Sequence, residues 1–294
     1  MQLLNKGLLW VLLVLTNVAI AQDSSSLLWE ARSGNKTVYL FGTIHVGRPD
    51  FYPLPKSVDE AFAASTMVAL EADFSDPNAM AAAMQIGTLP QGRTIEGELS
   101  PELAAQLRRT VSTAGLQMAN FRSMKPYMAM LALVSMEYGK LGYSPEYGLD
   151  LHFAQRAKAE AKPVIGLESI EGQMRMMDGL SKPLQQAMLK IALDDMASGN
   201  VGPVAGRLIS AWRKGDAPTV LEVLVAESKR LPPALDREFQ EKFLGARNRV
   251  MLSGVEKALN GTDKLFVAVG ALHLVGPGSL TELIEKKGFV VTRK

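Results

Sequence analysis

Apolar residues along this chain gather in short unbroken runs near its two ends and in helix-spaced stripes between them. Near the start, Leu27 to Ala31 predicts a short edge element, Ser33-Gly34-Asn35-Lys36 a turn, and Thr37 to Phe41 a strand of the buried type. A loop holding Pro49, Pro53 and Pro55 follows. The spacing of Val58, Phe62 and Ala63 then predicts a helix from Lys56 to Ala64, and Thr66 to Leu70 a second strand that runs straight into Glu71. A strand, a helix and a strand in about thirty-five residues is the size of a βαβ unit, which makes the strands parallel and puts their carboxyl ends on one edge of the sheet.

From Asp73 to about Tyr147 the pattern is helical and rich in methionine, which reads as adaptable core filling. Ser100-Pro101 is an N-cap and first-turn signal with Gly115 closing that helix, and Tyr127 to Tyr138 continues as a second apolar helix. Tyr147 to Phe153 opens another helix, with Asp150 and His152 in its first turn, and Lys162-Pro163 leads into a short strand from Val164 to Leu167 that hands over Glu168. Residues 170–260 read as amphipathic helices separated by Gly-Asn, Gly-Asp and Pro-Pro breaks. The last of them, from about Ala234 to Leu259, carries Phe239, Phe243 and Leu244 on its apolar stripe with Arg247-Asn248 beside it. A strand from Leu265 to Val269, a helix from Leu280 to Lys287 and a strand from Phe289 to Thr292 close the chain. The expected fold is α/β, a central mostly parallel sheet with diverged N- and C-terminal β-α-β halves and a large helical insertion. It is read as one domain over residues 22–294, with helical insertions at about 74–147 and 170–260.

Both terminal runs end in the same way. Val38 to Phe41 leads into Gly42-Thr43-Ile44-His45-Val46-Gly47, and Leu265 to Val269 into Gly270-Ala271-Leu272-His273-Leu274-Val275-Gly276. Two of the chain's 3 histidines therefore share one repeated setting at a strand end. Open α/β sheets place ligands at that edge, so His45, His273 and Glu71 can converge there. Two imidazoles and a carboxylate are natural ligands for manganese, cobalt or zinc, and a catalytic metal keeps a position open for water. Glu168 could add a fourth ligand or act as general base, Arg247 could hold a substrate carboxylate or a developing oxyanion, and Asn248 could serve as a neutral donor. For His152 the expectation is an orienting or structural role. Plainer readings stand beside these: histidines that only close loops, glycines that only allow turns with positive φ, and Glu71 and Glu168 as cap or ion-pair residues with Arg247 as partner. A haem or small-ligand binding protein and a metal-free, esterase-like hydrolase using His45 or His273 with Glu71 remain alternatives.

Composition narrows the classes. The chain has 32 basic and 30 acidic residues, a net charge of +2 that includes Lys6, which is no footprint for nucleic acid. With 0 cysteines there is neither a disulfide framework nor a thiolate metal site. Lys6, the uncharged run from Gly7 to Ile20 and the small-x-small site Ala19-Ile20-Ala21 read as a cleaved signal peptide over residues 1–21, giving a periplasmic or secreted product with no membrane span after cleavage. There is no His-Glu-x-x-His helix, Gly-x-Ser-x-Gly elbow, Gly-x-Gly-x-x-Gly fingerprint or phosphate-binding loop.

At Gly42-Thr43-Ile44-His45, Leu70-Glu71, Gly148 to Phe153, Arg247-Asn248 and Gly270-Ala271-Leu272-His273, the chain resembles the TraB/GumN family, which includes the Tiki metalloproteases. The resemblance implies an α/β fold related to the erythromycin-esterase and haem-binding ChaN-like group, with both motifs facing one cleft. It also implies a divalent-metal-dependent peptidase, supported by manganese or cobalt and acting on a peptide or secreted protein. In that case His45, Glu71 and His273 form the metal and catalytic set, with Arg247 and Asn248 assisting. The sequence shows no C-terminal membrane anchor of the Tiki kind, which turns the expectation away from a membrane-attached substrate.

Overall fold

The computed structural model describes residues 26–72 and 77–294; the expected signal peptide lies outside them. Six strands, β1 (Leu28–Ser33), β2 (Lys36–Thr43), β3 (Met67–Ala72), β4 (Val164–Glu168), β5 (Lys264–Gly270) and β6 (Val290–Arg293), form one sheet in the order β4-β3-β5-β2-β1-β6. The neighbours from β4 to β2 pair in parallel, whereas β1 runs antiparallel to both β2 and β6.

Two expectations change here. The first apolar run is not an edge: the turn at Gly34, with φ of 57°, folds β1 back on β2, and β6 then covers its other side. The helix α1 (Lys56–Ala64) joins β2 to β3, which are parallel as expected but not adjacent, because β5 lies between them. Thr43 pairs with Gly270, so the two glycine-histidine motifs emerge side by side.

Helices α2 (Pro77–Ile86), α3 (Ile95–Glu98), α4 (Pro101–Thr113), α5 (Pro126–Lys140) and α6 (Leu149–Ala159) lie between β3 and β4. Between β4 and β5 come α7 (Ile170–Asp178), α8 (Lys182–Ser198), α9 (Val201–Arg213), α10 (Ala217–Ser228), α11 (Pro233–Phe239) and α12 (Ala246–Ala258), while α13 (Leu280–Lys286) precedes β6. Side chains on a strand point to opposite faces in turn, and the central strands obey this closely. Phe41, Val68, Leu70, Phe266 and Ala268 face a cluster closed by α1, α6 and α9 through Phe62, Phe153 and Trp212. Val38, Leu40, Ala69, Leu265 and Val267 face the opposite cluster, closed by α12 and α13 through Met251, Val255 and Ile284. Burial on both faces explains why these strands read as solid apolar runs. Helices α4, α5 and α8 hold a core of their own around Leu107, Leu133 and Leu189.

The long helix expected over 234–259 is present as one continuous run, α11, a π-helical turn from Gln240 to Gly245, and α12. One extra residue in the winding rotates the succeeding turns by about 100°. Arg247 and Asn248, expected beside the apolar stripe, are instead buried, at 7% and 2% exposure.

The loop after β2 is pinned to the start of α6. Gly47 and Ser144 exchange backbone hydrogen bonds of 2.9 and 2.8 Å, and the Leu149 amide donates to the Ile44 carbonyl at 3.1 Å. The approach requires glycine: a Cβ on Gly148 would lie 2.2 Å from the His45 carbonyl oxygen, and one on Gly47 would lie 2.1 Å from that of Tyr147. Gly148→Ala is expected to destabilise the protein by roughly 1–3 kcal/mol, since backbone must move to admit the methyl. Gly206→Ala, in α9 where an added Cβ meets nothing within 4 Å, should stabilise it by about 0.5–1 kcal/mol. Denaturant unfolding of the pair checks both signs, and a neutral Gly148→Ala would show that the loop contact is not tight.

Candidate active site

Because β2, β3, β4 and β5 are parallel, Thr43, Ala72, Glu168 and Gly270 all end at one edge of the sheet. Glu71, the penultimate residue of β3, is 4% exposed. Its Oε2 accepts from the Gly270 amide at 2.8 Å. Its Oε1 accepts from Arg247 Nη2 at 2.5 Å and from Gln173 Nε2 at 3.1 Å. Arg247 also donates to Glu168, from Nη2 at 2.6 Å and from Nε at 3.0 Å, and Gln173 bridges to the same carboxylate at 3.2 Å. Burial favours the neutral acid at Glu71, but the charges of His45 and Arg247 and the Gly270 amide outweigh it and hold its pKa down at about 2.

Each motif histidine is anchored through Nδ1. His45 Nδ1 lies 2.8 Å from Asp150 Oδ2, and Thr43 Oγ1 donates to the other oxygen of Asp150 at 3.0 Å. Asp150 sits in the first turn of α6, where the helix amides favour an anion. The His45 side chain keeps 56% exposure towards the cleft. Partial withdrawal from water opposes its charge, yet the Asp150 and Glu71 carboxylates prevail and raise its pKa to about 9. His273 Nδ1 lies 2.7 Å from Asn248 Oδ1, and Asn248 in turn donates to the Gly278 carbonyl at 2.8 Å. Burial at 3% exposure pushes His273 down to about 4, so it is neutral at pH 7.

Gly270 marks where these groups meet. A Cβ built there would lie 3.1 Å from Glu71 Oε2, 3.5 Å from His45 Nε2 and 3.7 Å from His273 Cδ2. Gly42, likewise, would bring a Cβ 3.1 Å from Ala271. Neither of these two glycines has positive φ, so the expectation of a strained turn gives way to one of close approach.

The cluster forms the floor of a cleft of about 340 Å³ whose walls come from the β2 loop, α5, α9, the π-helical turn and the loop after β5. His45, Glu71, Glu168, Arg247, Asn248 and His273 are thus brought together. His152 is not: its ring packs on Tyr52, with centroids 4.8 Å apart, and edge-on against Phe153. Residues two apart on a helix face different ways, so Asp150 turns to the site and His152 away from it. Arg247 is committed through Nε and Nη2 to Glu168 and Glu71, and Glu168 is paired with it rather than standing as a lone carboxylate. Asn248, foreseen as a donor, meets His273 through its oxygen. Asp150, named with His152 in the first turn of its helix, and Thr43, inside the first glycine-histidine motif, carry no assigned role in the sequence reading, and nothing local marks Gln173.

The donor chemistry suits a divalent cation: two imidazoles whose Nδ1 atoms are held by an oxygen, leaving Nε2 free, beside a carboxylate. The separations are wider than in a closed site, with His45 Nε2 3.9 Å from Glu71 Oε2, and among the described residues no group of three or more His, Cys, Asp and Glu is drawn together enough to hold an ion.

A TraB/PrgY/gumN family profile matches residues 27–293. The YbaP protein of Escherichia coli is 26% identical over 251 residues, which covers 85% of this chain and 89% of YbaP. Human metalloprotease TIKI1 is 24% identical over 313 residues, covering 92% of this chain but only 62% of TIKI1, and zebrafish (Danio rerio) TIKI1 is 23% identical over 312 residues, covering 92% and 63%. No solved structure matches.

Removing Arg247 leaves two carboxylates buried without a counter-charge, so Arg247→Met is expected to cost roughly 3–5 kcal/mol by denaturant unfolding. Glu71→Gln in the same background should return part of it, and strict additivity of the two changes would rule out the coupling. The His45–Asp150 pair contributes stability that is full below pH 6.5 and is lost as pH rises through about 9. The Tm deficit of Asp150→Asn in metal-free buffer should therefore be largest below pH 6.5 and shrink towards pH 9; a deficit constant across that range would exclude a charged pair.

Proposed function

The chain belongs to the TraB/PrgY/gumN family, and on that premise we propose that it is an exported metal-dependent hydrolase, a peptidase acting in the cleft above Glu71. The observation that carries the reading is the meeting of His45, Glu71 and His273 beside Gly270, with Asp150 and Asn248 fixing the two imidazoles from behind. The metalloprotease name of the TIKI relatives, about 24% identical, supports a hydrolase. The exported location rests on residues 1–21, and no helix among the described residues is long and apolar enough to cross a membrane.

His45, Glu71 and His273 would hold the ion, manganese, cobalt or zinc. When bound, such an ion supplies Lewis acidity to the carbonyl under attack and acidifies the attacking water. The rest falls to the chain itself. Asp150 and Asn248 keep each ring in one orientation, so that neither histidine must be ordered as substrate arrives. Arg247 keeps Glu71 ionised and, bridged to Glu168, immobile. Gly270 leaves the space in which the reacting group sits.

A second reading has its own support. Arg247 already neutralises Glu71 at 2.5 Å, which lessens the pull on another cation, so that His45 and His273 would handle the proton of water directly in a metal-free hydrolase. Activity that survives exhaustive chelation would select it.

Metal content and peptide hydrolysis of the purified protein decide between them. His45→Ala and His273→Ala should each abolish binding of manganese, cobalt and zinc, and Asp150→Asn should weaken it roughly 10–100-fold. Gly270→Ala, which places a methyl 3.1 Å from Glu71 Oε2, should do the same with little change in fold. If both histidine variants bind the ions as the parent does, the metal site is wrong.

A further inference from the structure

The polar groups on and just beneath the cleft floor are paired with one another. Glu71 and Glu168 are bound to Arg247, His45 to Asp150, and His273 to Asn248. Each charge there already has an opposite neighbour, including the open His45 Nε2, which lies 3.9 Å from Glu71 Oε2. Above it the walls are apolar: Ile44, Leu131, Val134, Leu208, Phe243 and Leu272 surround the opening. A cavity of this size, lined by apolar side chains with a few convergent polar groups, is the usual form of a small-ligand site.

A second cavity of about 260 Å³ lies across α5, and Val134 and Tyr138 line both. Its walls include Met188, Ile191, Val204, Leu224 and Phe239. The two acids at its margin, Asp195 and Glu227, are tied to Arg230 at 2.7 and 2.5 Å, so this compartment also offers no unpaired charge. Two apolar compartments divided by the side chains of one helix suit substituents that branch from a backbone, one to each side. A single unbranched hydrocarbon would have to pass through the Val134–Tyr138 wall.

We propose that the substrate of this cleft is an uncharged stretch of peptide bearing large apolar side chains, with one side chain in the compartment above His45 and Glu71 and another beyond Val134 and Tyr138. The inference rests on the hydrolase reading for its position at the bond cleaved, but not for binding itself. Charged side chains are excluded from these two apolar compartments because there they would lose water without finding a partner.

Binding and cleavage are measured separately. Acetyl-Leu-Leu-Phe-amide, acetyl-Glu-Glu-Glu-amide, acetyl-Lys-Lys-Lys-amide and decanoate are titrated calorimetrically into the full-length mature protein. Decapeptides carrying the same tripeptides are then tested for hydrolysis with and without manganese. The apolar peptide should bind at least about tenfold more tightly than either charged one. Leu131→Glu, at a cleft-mouth residue that is already 39% exposed, should reverse that preference without unfolding the protein. Tyr138→Ala, which opens the wall, should widen the choice of side chain in the second compartment. Apolar binding without cleavage, with or without manganese, would uphold the inference and remove the hydrolase reading. Equal binding or cleavage of the charged peptides, no binding of the apolar one, preference for decanoate, or indifference to Leu131→Glu would each overturn the inference, and cleavage of charged peptides would leave the hydrolase standing.

Discussion

A carboxylate buried at the end of a strand dominates the physics of this molecule. Glu71 is 4% exposed and ionised, a state that water would ordinarily have to support. Here the support comes from Arg247 and the Gly270 amide, reached from α12 and β5, elements far away in sequence. Such a pair repays desolvation only where its geometry is good and its remaining bonds are filled, and Glu168 and Gln173 fill them. The cluster therefore ties β3, β4, β5, α7 and α12 together at the edge where the cleft opens.

The second constraint is room. A methyl would strike neighbouring backbone at Gly47 and Gly148, and at Gly42 and Gly270 it would lie a tight 3.1 Å from Ala271 or from the Glu71 carboxylate. These glycines let the two histidine loops and the start of α6 close on one another. Rings anchored at Nδ1 by Asp150 and Asn248 then have little freedom left, which is how preorganised sites are built. Polar chemistry is confined to the floor, and the walls supplied by α5, α9 and the π-helical turn are apolar.

Much of the architecture was legible along the chain. Buried runs ending in glycine and histidine marked β2 and β5, and Ser100-Pro101 with Gly115 marked α4. His45, Glu71 and His273 were recognisable as one constellation, because strand ends in a parallel sheet share an edge. What failed was local in appearance and distant in cause. Nothing near Arg247 announces that it is spent on two glutamates. Asp150 and His152 look equally available in the first turn of α6, and only the packing of that helix on Tyr52 and the β2 loop separates them.

Sequence alone determined which segments are strands, which are helices, and which side chains could carry chemistry, since periodicity, capping and turn preference act over a few residues. Tertiary structure alone decided that β5 lies between β2 and β3, that β1 is interior, and that the charges are paired before any substrate arrives. Those outcomes depend on partners such as Arg247 and Glu71, 176 residues apart, whose attraction exists only once the chain has folded and shed its water.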